Sequence, residues 1–462
     1  MPTTSSLYRS WANLADLWLG RYEMGSPFDV PRQRLDALVR HARAHSPFYR
    51  ELYDGLPPDL PLDGLPRVSK AQLMQRFDDW VTDRAVRLTG VRAHLADRTR
   101  IGKAFLGRYW IWKSSGTSGI PGIFVQDEHA LGVYDALVAA HIADIPWSAG
   151  SAARALAGNG RAALVVANTD HFASIASWER MRRALPLVNA RSFSALAPLA
   201  QLAGELEAFA PAILSGYPSM LTLLADEHAA GRLAISPSLI WSGGEHLSRA
   251  ARRAIERNFD CPVMNEYGAS ECMSIAHECS AGWMHLHHDW VALEAVDDDG
   301  LPTAPGKLSR TTLLTNLANW IQPVIRYDLG DRITPAKGLC KCGDPTPAFR
   351  LEGRVQESLE MRSPEGRRVR LSPLALSTVV EEMAEGHRFQ IAQLGPERLA
   401  LRLEGTSEQL RSVRRRAAEA LRDWLHVQSL PNVRVVQDRT RPRLDPASGK
   451  LHDVVIEDGG AA

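Results

Sequence analysis

Short apolar runs alternate with segments of helical periodicity between about residues 120 and 330, and this alternation constrains the fold more than any other feature. The apolar runs are typified by AALVVAN, AILSGYPSM and LIWSGGE, while SALAPLAQLAGELEAF has the apolar spacing of a helix. Strands that are covered on both faces are almost continuously apolar, and parallel strands are joined by helical crossovers. The pattern therefore predicts an α/β core of roughly 350 residues around a largely parallel sheet.

The pattern changes after Gly353. Strand-like EMRS and RVRL flank the turn PEGR, and a helix, two strands, a long helix near residues 407–426 and the strand VRVVQD follow. This order of elements predicts a compact α+β unit that is separate from the preceding core. We therefore expect two domains, residues 1–353 and residues 354–462.

The composition narrows the class of protein. The 462 residues include 54 basic and 53 acidic side chains, so the chain lacks the basic surplus of a dedicated nucleic-acid or anionic-membrane binder. No uninterrupted apolar run reaches the roughly 18 residues of a membrane span, and the start MPTTSSLYRSWANLADLW has no export pattern. We therefore expect a cytoplasmic protein that acts on small molecules, with neither nucleic acid nor membrane as a partner.

The segment SSGTSGIP, residues 114–121, follows the strand-like GRYWIW and combines four hydroxyl side chains with two glycines. Glycine lets the backbone approach a ligand closely, and hydroxyl and amide groups suit phosphate oxygens. No GK[ST] sequence follows, so the segment is not a Walker loop. It is either a phosphate-binding loop or an ordinary Ser/Gly connection between strands.

Two further segments have acidic residues beside turns. NEYGASE at 265–271 follows the strand-like CPVM, so Tyr267 could stack on a purine while Glu271 reaches a magnesium ion. IRYDLGD at 325–331 follows an apolar strand and ends in an aspartate that could accept from ribose hydroxyls. The alternatives are a strand-to-turn corner for the first segment and a solvated turn for the second.

Lys450 lies in RPRLDPASGKLHDVV and is the only lysine after residue 341 in a chain with seven lysines. A lysine on a small domain can bring a point charge to a phosphate or a carboxylate. The alternative is an ordinary surface lysine.

The order and spacing of six segments resemble those of the adenylate-forming superfamily, which contains the acyl-CoA synthetases and related ligases. In chain order the six are SSGTSGIP, SGGE, NEYGASE, RYDLGD, the GR of residues 353–354 and the terminal SGK. The chain is most similar to the phenylacetate-CoA ligase branch, with its coenzyme-F synthetases and capsular-polysaccharide biosynthesis proteins. LVRHARAHSPFYRELY, LPRVSKAQL and HLHHDWVALEAVDDDG extend the resemblance over nearly the whole chain.

The resemblance implies a large N-terminal adenylation domain with mixed and parallel sheets, followed by a small, mobile α+β lid. The nucleotide-binding residues that it implies are Ser114, Ser115, Gly116, Thr117, Ser118, Gly119, Gly243, Gly244, Glu245, Glu266, Tyr267, Gly268, Asp331 and Arg354. The implied catalytic residues are Lys450, Glu271 and Thr117, with magnesium on Glu271. The implied acyl-pocket residues are Tyr217, Trp241, His171 and Ala269, and the implied hinge is Gln356.

Two positions depart from the family pattern. Ile120 stands where the phosphate loop often has lysine, so one phosphate contact is absent. Gln356 stands where the hinge usually has aspartate, which affects the expected rotation of the lid.

A second candidate site combines three cysteines and one histidine, namely Cys279, His285, Cys340 and Cys342. Cys340 and Cys342 form a C-x-C pair, and His285 follows Cys279 by six positions. Three thiolates and one imidazole suit tetrahedral zinc and leave no open catalytic position, so the predicted role is structural. Relatives in the phenylacetate-CoA ligase branch that have matching positions resemble zinc binders.

The alternatives to this zinc site are four unrelated residues, or His287 or His288 in place of His285. The other two cysteines, Cys261 and Cys272, are expected to be packing residues near the edge of the sheet.

The reaction that the resemblance implies is ATP-dependent activation of a carboxylic acid, with an aryl acid expected, to an acyl-adenylate and pyrophosphate. Acyl transfer to CoA, to a carrier-protein thiol or to an amine would follow, which makes the protein an AMP-forming acid–thiol or acid–amine ligase. One alternative is AMP transfer to a hydroxyl of a cofactor-like acceptor. Another is a non-catalytic nucleotide-binding homologue, for which Ile120 and Gln356 are the hints.

Overall fold

The structure is a computed structural model. It describes residues 29–114, 121–157, 160–185, 188–352, 359–384, 387–404, 408–443 and 453–457. None of the helices in these ranges has both the length and the apolar character that a membrane crossing requires.

The described residues contain thirteen α-helices and twenty β-strands. The helices are α1 Asp29–His45, α2 Pro47–Leu52, α3 Lys70–Gln75, α4 Phe77–Trp80, α5 Leu88–Ala96, α6 Glu128–Ala143, α7 Ala149–Ala157, α8 Ala173–Ala184, α9 Leu199–Phe209, α10 Pro218–Ala229, α11 Arg249–Phe259, α12 Pro373–Ala384 and α13 Glu408–Val427. The strands are β1 Trp110–Lys113, β2 Ile123–Gln126, β3 Ala162–Val166, β4 Ala190–Ser194, β5 Ile213–Gly216, β6 Leu239–Gly243, β7 Val263–Ala269, β8 Cys272–Glu278, β9 Met284–Leu286, β10 Val291–Val296, β11 Thr311–Asn316, β12 Val324–Asp328, β13 Arg332–Pro335, β14 Ala348–Glu352, β15 Leu359–Arg362, β16 Arg368–Leu371, β17 Phe389–Gly395, β18 Arg398–Leu403, β19 Arg434–Asp438 and β20 Val454–Ile456.

A nine-stranded mixed sheet in the order β13-β14-β9-β8-β7-β6-β5-β3-β4 organises the larger part of the chain. The five strands from β4 to β7 are parallel, and helices α8 to α11 connect them in turn. The remaining four strands are antiparallel. The predicted α/β fold with mixed and parallel sheets is therefore confirmed.

Apolar side chains explain why the parallel half of this sheet forms. All five residues of β3 are buried, and they belong to one apolar core with residues of helices α8 to α11. A second core joins α1 to α6 with β1, β2 and the antiparallel half of the sheet. Burial of this apolar surface is the main favourable term in folding. The two cores therefore hold the strands of this sheet together and position the residues at the strand ends.

A third apolar core is confined to residues 359–454. Its elements are the hairpin β15–β16, the four-stranded sheet β19-β18-β17-β20 and helices α12 and α13. The strands and helices that the sequence predicts after Gly353 are confirmed, and the short strand β20 is added to them. The predicted domain boundary falls on residues 353–354, which lie outside the described ranges, so the two-domain division stays a prediction.

Residues 29–52 form two consecutive helices, α1 and α2. They meet at Ser46, which has extended backbone (φ −104°, ψ 112°) and whose side chain accepts a hydrogen bond from the Tyr49 backbone N–H. Pro47 is the cause, because proline lacks an N–H donor and disfavours helical backbone at the residue before it. Ser46 therefore acts as the N-cap of α2.

The segment NEYGASE is not a corner after a strand that ends near Met264. Strand β7 continues to Ala269, because β8 pairs with it as an antiparallel hairpin in which Glu266 lies opposite His277. The turn is at Ser270 and Glu271, so the segment belongs mainly to the strand.

Candidate functional site

A cavity of about 440 Å³ opens at the carboxyl ends of the parallel strands, where β5, β6 and β7 end at Gly216, Gly243 and Ala269. Helices α6 and α8 form its walls, and we call it the strand-end cavity. In open α/β sheets, ligands bind in crevices at these strand ends, because the loops that follow the strands converge there.

Nine of the predicted site residues line the strand-end cavity, namely Ser114, Tyr217, Trp241, Gly243, Gly244, Glu266, Gly268, Ala269 and Glu271. Eight others lie outside the described residues, namely Ser115, Gly116, Thr117, Ser118, Gly119, Arg354, Gln356 and Lys450. The variant position Ile120 lies outside them as well.

The β7–β8 hairpin carries Glu271 to the cavity, and Gly268 makes the hairpin possible. A Cβ added at Gly268 would lie 2.1 Å from the Met273 carbonyl oxygen. Real Cβ atoms do not approach backbone that closely, so only glycine allows the two strands to come together at this bulge.

The Glu271 carboxylate is buried between two strands. Its Oε1 atom accepts a hydrogen bond of 2.6 Å from the Tyr327 hydroxyl on β12. Its backbone carbonyl accepts from Asn316 Nδ2 at 3.0 Å. Burial raises the pKa of Glu271, while the positive charge of Lys70, which also lines the cavity, opposes the rise. The site thus holds a carboxylate whose charge a cation would stabilise.

Tyr267 and Asp331 form a pair beside the cavity, and neither lines it. The Tyr267 hydroxyl donates to Asp331 Oδ2 at 2.7 Å, and its ring packs edge-on against Phe349 with 6.1 Å between ring centroids. Burial and the neighbouring Asp331 carboxylate raise the pKa of Tyr267. The pair therefore links β7 to the loop before β13.

Glu245 and Gly244 fix the loop after β6. The Glu245 carboxylate accepts from the Ser219 backbone N–H at 2.9 Å and from its hydroxyl at 3.1 Å, in the first turn of α10. Burial raises the pKa of Glu245. Gly244 has φ +82°, a conformation that favours glycine, and a Cβ there would lie 3.1 Å from the Tyr217 ring. These contacts bring Gly244 and Tyr217 together at the cavity wall.

His171 is fully buried and is not among the residues that line the cavity. Its Nε2 atom lies 3.0 Å from the Asp97 carbonyl oxygen, and burial lowers its pKa. The two residues that follow it, Phe172 and Ala173, do line the cavity.

Sequence reasoning missed three charged pairs at the cavity. Arg180 Nη2 lies 2.5 Å from Asp135 Oδ1 and Lys113 forms an ion pair with Asp170. The third pair is that of Glu266 with His141. All join segments far apart in sequence, and no local motif marks them.

Glu266, on β7, accepts a hydrogen bond through Oε1 from Nδ1 of His141 on α6. His141 lies one turn beyond Val138 and two turns beyond Tyr134, and both of these residues line the cavity from the same helix face. Burial raises the pKa of Glu266, but the hydrogen bond from His141 and the nearby His287 outweigh it and lower the pKa to about 2. A buried, ionised carboxylate therefore faces the cavity.

The predicted cysteine and histidine cluster is assembled in space. One Sγ or ring nitrogen from each of Cys279, His285, Cys340 and Cys342 lies within 4.8 Å of the others. The Cys279 and Cys340 sulfurs are 3.7 Å apart, and Cys342 Sγ is 3.3 Å from His285 Nε2. Tetrahedral zinc with bonds of about 2.3 Å to sulfur requires about 3.7–3.8 Å between sulfurs. The donor set and its spacing therefore fit a metal ion.

The surroundings of His285 are those of a metal-binding histidine. Its Nδ1 atom lies 2.9 Å from Thr346 Oγ1 and 3.5 Å from Asp344 Oδ2. These partners favour the tautomer that leaves Nε2 free to bind a metal. Cys261 and Cys272 are buried, as expected of packing residues, but Cys272 lies on β8 in the interior of the nine-stranded sheet and not near its edge.

Comparisons with known proteins give a structural match and no sequence match. No family model and no curated protein matches the chain. The structure resembles 2-hydroxyisobutyryl-CoA ligase in complex with 2-HIB-AMP and CoA in the thioesterification state (TM-score 0.56, 20% identity, 94% of this chain and 91% of that chain). It also resembles the same ligase in the postadenylation state with R3-HIB-AMP (TM-score 0.51, 19% identity, 92% and 89% of the two chains). The chain therefore has the fold of 2-hydroxyisobutyryl-CoA ligase, which is the fold that its resemblance to adenylate-forming enzymes predicts.

Proposed function

We propose that this protein is an ATP-dependent, AMP-forming ligase that activates a carboxylic acid as an acyl-adenylate. The observation that carries the proposal is the meeting of Ser114, Gly243, Gly268 and Glu271 around the strand-end cavity. These residues come from three separate segments that the family resemblance assigns to one nucleotide site. The shared fold supports the proposal, because the 2-hydroxyisobutyryl-CoA ligase was solved with 2-HIB-AMP.

ATP and magnesium are the proposed cofactors. In this proposal residues 114–119 contact the phosphates, Tyr267 lies near adenine, Asp331 binds the ribose and Glu271 holds magnesium. The Ser114 hydroxyl accepts from the Gly122 backbone N–H at 2.8 Å, and this contact joins described residues on either side of residues 115–120. Little covalent chemistry is needed from the protein, because alignment of the carboxylate and neutralisation of charge at the α-phosphate supply the rate. Lys450 is proposed to supply one positive charge.

An aryl acid is the proposed substrate class, as in the phenylacetate-CoA ligase branch. Five aromatic side chains line the strand-end cavity, namely Tyr134, Phe172, Trp178, Tyr217 and Trp241. Aromatic walls favour a flat apolar ring, since stacked and edge-on contacts add to the free energy of burial.

Acyl transfer to CoA is the proposed second step, with a carrier-protein thiol or an amine as alternative acceptors. The complex of the 2-hydroxyisobutyryl-CoA ligase with CoA supports this step. In the proposal, residues 354–462 form a lid domain that turns about Gln356. Two hydrogen bonds connect residues after 353 to the larger part of the chain. Ser372 Oγ lies 2.9 Å from Ser219 Oγ, and Thr169 Oγ1 donates to Glu382 Oε1 at 2.6 Å.

Structural zinc is proposed for Cys279, His285, Cys340 and Cys342. About sixty residues separate Cys279 and His285 from Cys340 and Cys342. The ion would therefore hold together the two ends of this long segment of the chain. Four protein ligands leave no open coordination position, so no catalytic role is proposed for this ion.

The test is acid-dependent pyrophosphate release from ATP, measured over a panel of aryl acids with and without CoA. ATP labelled in the adenine ring then separates the classes of reaction. Free labelled AMP supports acyl transfer to a thiol or an amine. Label retained on an acceptor supports AMP transfer to a hydroxyl, and no acid-dependent release across the panel contradicts the proposal.

A further inference from the structure

Three carboxylates line the strand-end cavity, and Glu266 differs from the other two. Asp135 is paired with Arg180, and Glu271 accepts a hydrogen bond from Tyr327. Within the described residues Glu266 has no lysine or arginine partner, and only 8% of its side-chain surface is exposed. A buried carboxylate without a cationic partner is costly unless hydrogen-bond donors surround it.

The donors around Glu266 leave one oxygen incompletely satisfied. His141 Nδ1 donates to Oε1. At Oε2, the Ser274 hydroxyl is 3.4 Å away, and His287 Nε2 is 3.9 Å away, which is too far for a hydrogen bond. That His287 nitrogen is itself buried without a hydrogen-bond partner among the described residues. An ionised carboxylate has about four acceptor positions, so Oε2 retains capacity for another donor.

Glu266 also lies at a different depth in the cavity from Glu271. It pairs in register with Gly243 of β6, three residues before the end of β7 at Ala269. Three residues of strand span about 10 Å, so Glu266 lies well below the turn that carries Glu271. A molecule whose carboxylate reacts near Glu271 would therefore point its far end toward Glu266.

Apolar side chains form part of the cavity wall on the β6 and α6 side. Val138 and Trp241 pack together in a small apolar cluster with Ile145 and Met264, and both also line the cavity. Charge–donor interactions are stronger in such surroundings than in water. A methyl group placed against Oε2 would leave the charge uncompensated, whereas an N–H or O–H group would compensate it.

We infer that the acid accepted by this cavity carries an amino or hydroxyl substituent at the end remote from its carboxylate, and that Glu266 binds this donor. The inference names the substrate class of the site and rests on the proposed function for the statement that the bound acid reacts.

The test measures binding of defined probes to the nucleotide-free protein. The probes are benzoate, phenylacetate and 3-phenylpropanoate, each with an amino, hydroxyl or methyl substituent at the meta or para position. Trp178 and Trp241 line the cavity, so quenching of tryptophan fluorescence can report binding, with calorimetry as the check. At the position that reaches Glu266, the amino or hydroxyl probe should bind about tenfold or more tightly than its methyl counterpart.

Glu266→Gln should reduce this ratio several-fold and Glu266→Met should abolish it, because both remove the charge and only the second removes every acceptor. Asp83→Asn is the matched control, because that carboxylate is paired with Arg108 and does not line the cavity, so the ratio should be unchanged. If a thermal melt shows that either Glu266 variant does not fold, the ratio of donor-probe to methyl-probe affinity in the wild-type protein still tests the inference. Equal or tighter binding of every methyl probe, no binding of any probe, or a ratio unchanged in a folded Glu266→Met protein would overturn the inference.

Pyrophosphate release with the same probes distinguishes failure of the adenylation proposal from failure of the Glu266 proposal. Donor-dependent binding without release contradicts adenylation and supports the role of Glu266 in binding. Release that is indifferent to the substituent supports adenylation and contradicts the role of Glu266.

Discussion

The Tyr327 hydroxyl donates a 2.6 Å hydrogen bond to Glu271 Oε1, and this contact joins the β10–β12 sheet to the hairpin turn that faces the strand-end cavity. Both side chains are buried, and a hydrogen bond to a buried carboxylate stabilises its charged form. Tyr327 therefore both positions Glu271 and keeps it able to bind a cation.

Tyr327→Phe should lower the free energy of unfolding by about 1–3 kcal/mol, because a buried carboxylate loses a donor. The acid limb of the activity profile should move to higher pH. Burial already raises the pKa of Glu271, and loss of the hydroxyl removes one of the contacts that oppose the rise. Tyr109→Phe is the control, since its hydroxyl donates to Asp83 at 2.7 Å, in a pair whose residues do not line the cavity. An acid limb that moves equally in both variants would contradict a role for Tyr327 at Glu271.

Glu266 should contribute stability that depends on pH. Its pKa in the folded protein, about 2, is below the ordinary value of 4.5, so the unfolded chain binds more protons between these values. The stabilisation is thus present above about pH 4.5 and is lost as the pH falls toward 2. Denaturation of the wild type and Glu266→Gln at pH 6 and pH 3 should give a stability difference that shrinks at pH 3. A difference that does not change with pH would show that Glu266 is not held ionised.

Gly268→Ala should destabilise the protein by about 2 kcal/mol or more, because the new methyl group would meet the Met273 carbonyl oxygen at 2.1 Å. Gly204→Ala is the matched control. It lies inside α9 with open space where the methyl group would go, so it should be neutral or stabilise by about 0.5–1 kcal/mol. Urea denaturation compares the two, and equal effects would argue against the close approach of β7 and β8.

If the proposed zinc site is correct, the purified protein should contain zinc. Wild-type protein prepared without chelator should contain about one zinc per chain, and Cys342→Ser should contain almost none and melt several degrees lower. Cys261→Ser removes a buried thiol outside the cluster, so its zinc content should equal that of the wild type. Metal analysis showing little zinc in the wild type, or equal zinc in Cys342→Ser, would refute the site.

Local patterns in the sequence were sufficient for most elements and for nine of the residues that line the strand-end cavity. Apolar runs and helical spacing predicted the parallel strands and the elements after Gly353, because burial on one or both faces leaves a periodic trace. The predicted strand CPVM is shorter than β7, because the length of a strand in a hairpin depends on pairing with its partner strand, here β8. The three-residue strand β20 is too short to show a recognisable periodic pattern in the sequence.

Contacts between distant segments account for what the sequence did not predict. The Glu266–His141 pair joins residues 125 positions apart and the Arg180–Asp135 pair joins residues 45 apart. Neither pair belongs to a motif, so only the packing of α6 against β7 and α8 brings them together. The cluster of Cys279, His285, Cys340 and Cys342 was predictable because cysteine is rare in this chain and its chemistry is specific.

The most direct test of adenylation is ATP–pyrophosphate exchange by the wild type, Lys450→Ala and Glu271→Gln, with Lys307→Ala as a control at an exposed lysine. The measurement uses an aryl acid that supports pyrophosphate release. Exchange should require both the acid and magnesium, be lost in Lys450→Ala and Glu271→Gln while ATP still binds to Lys450→Ala, and be unchanged in Lys307→Ala. Exchange that persists undiminished in Lys450→Ala and Glu271→Gln would contradict the proposed adenylation site.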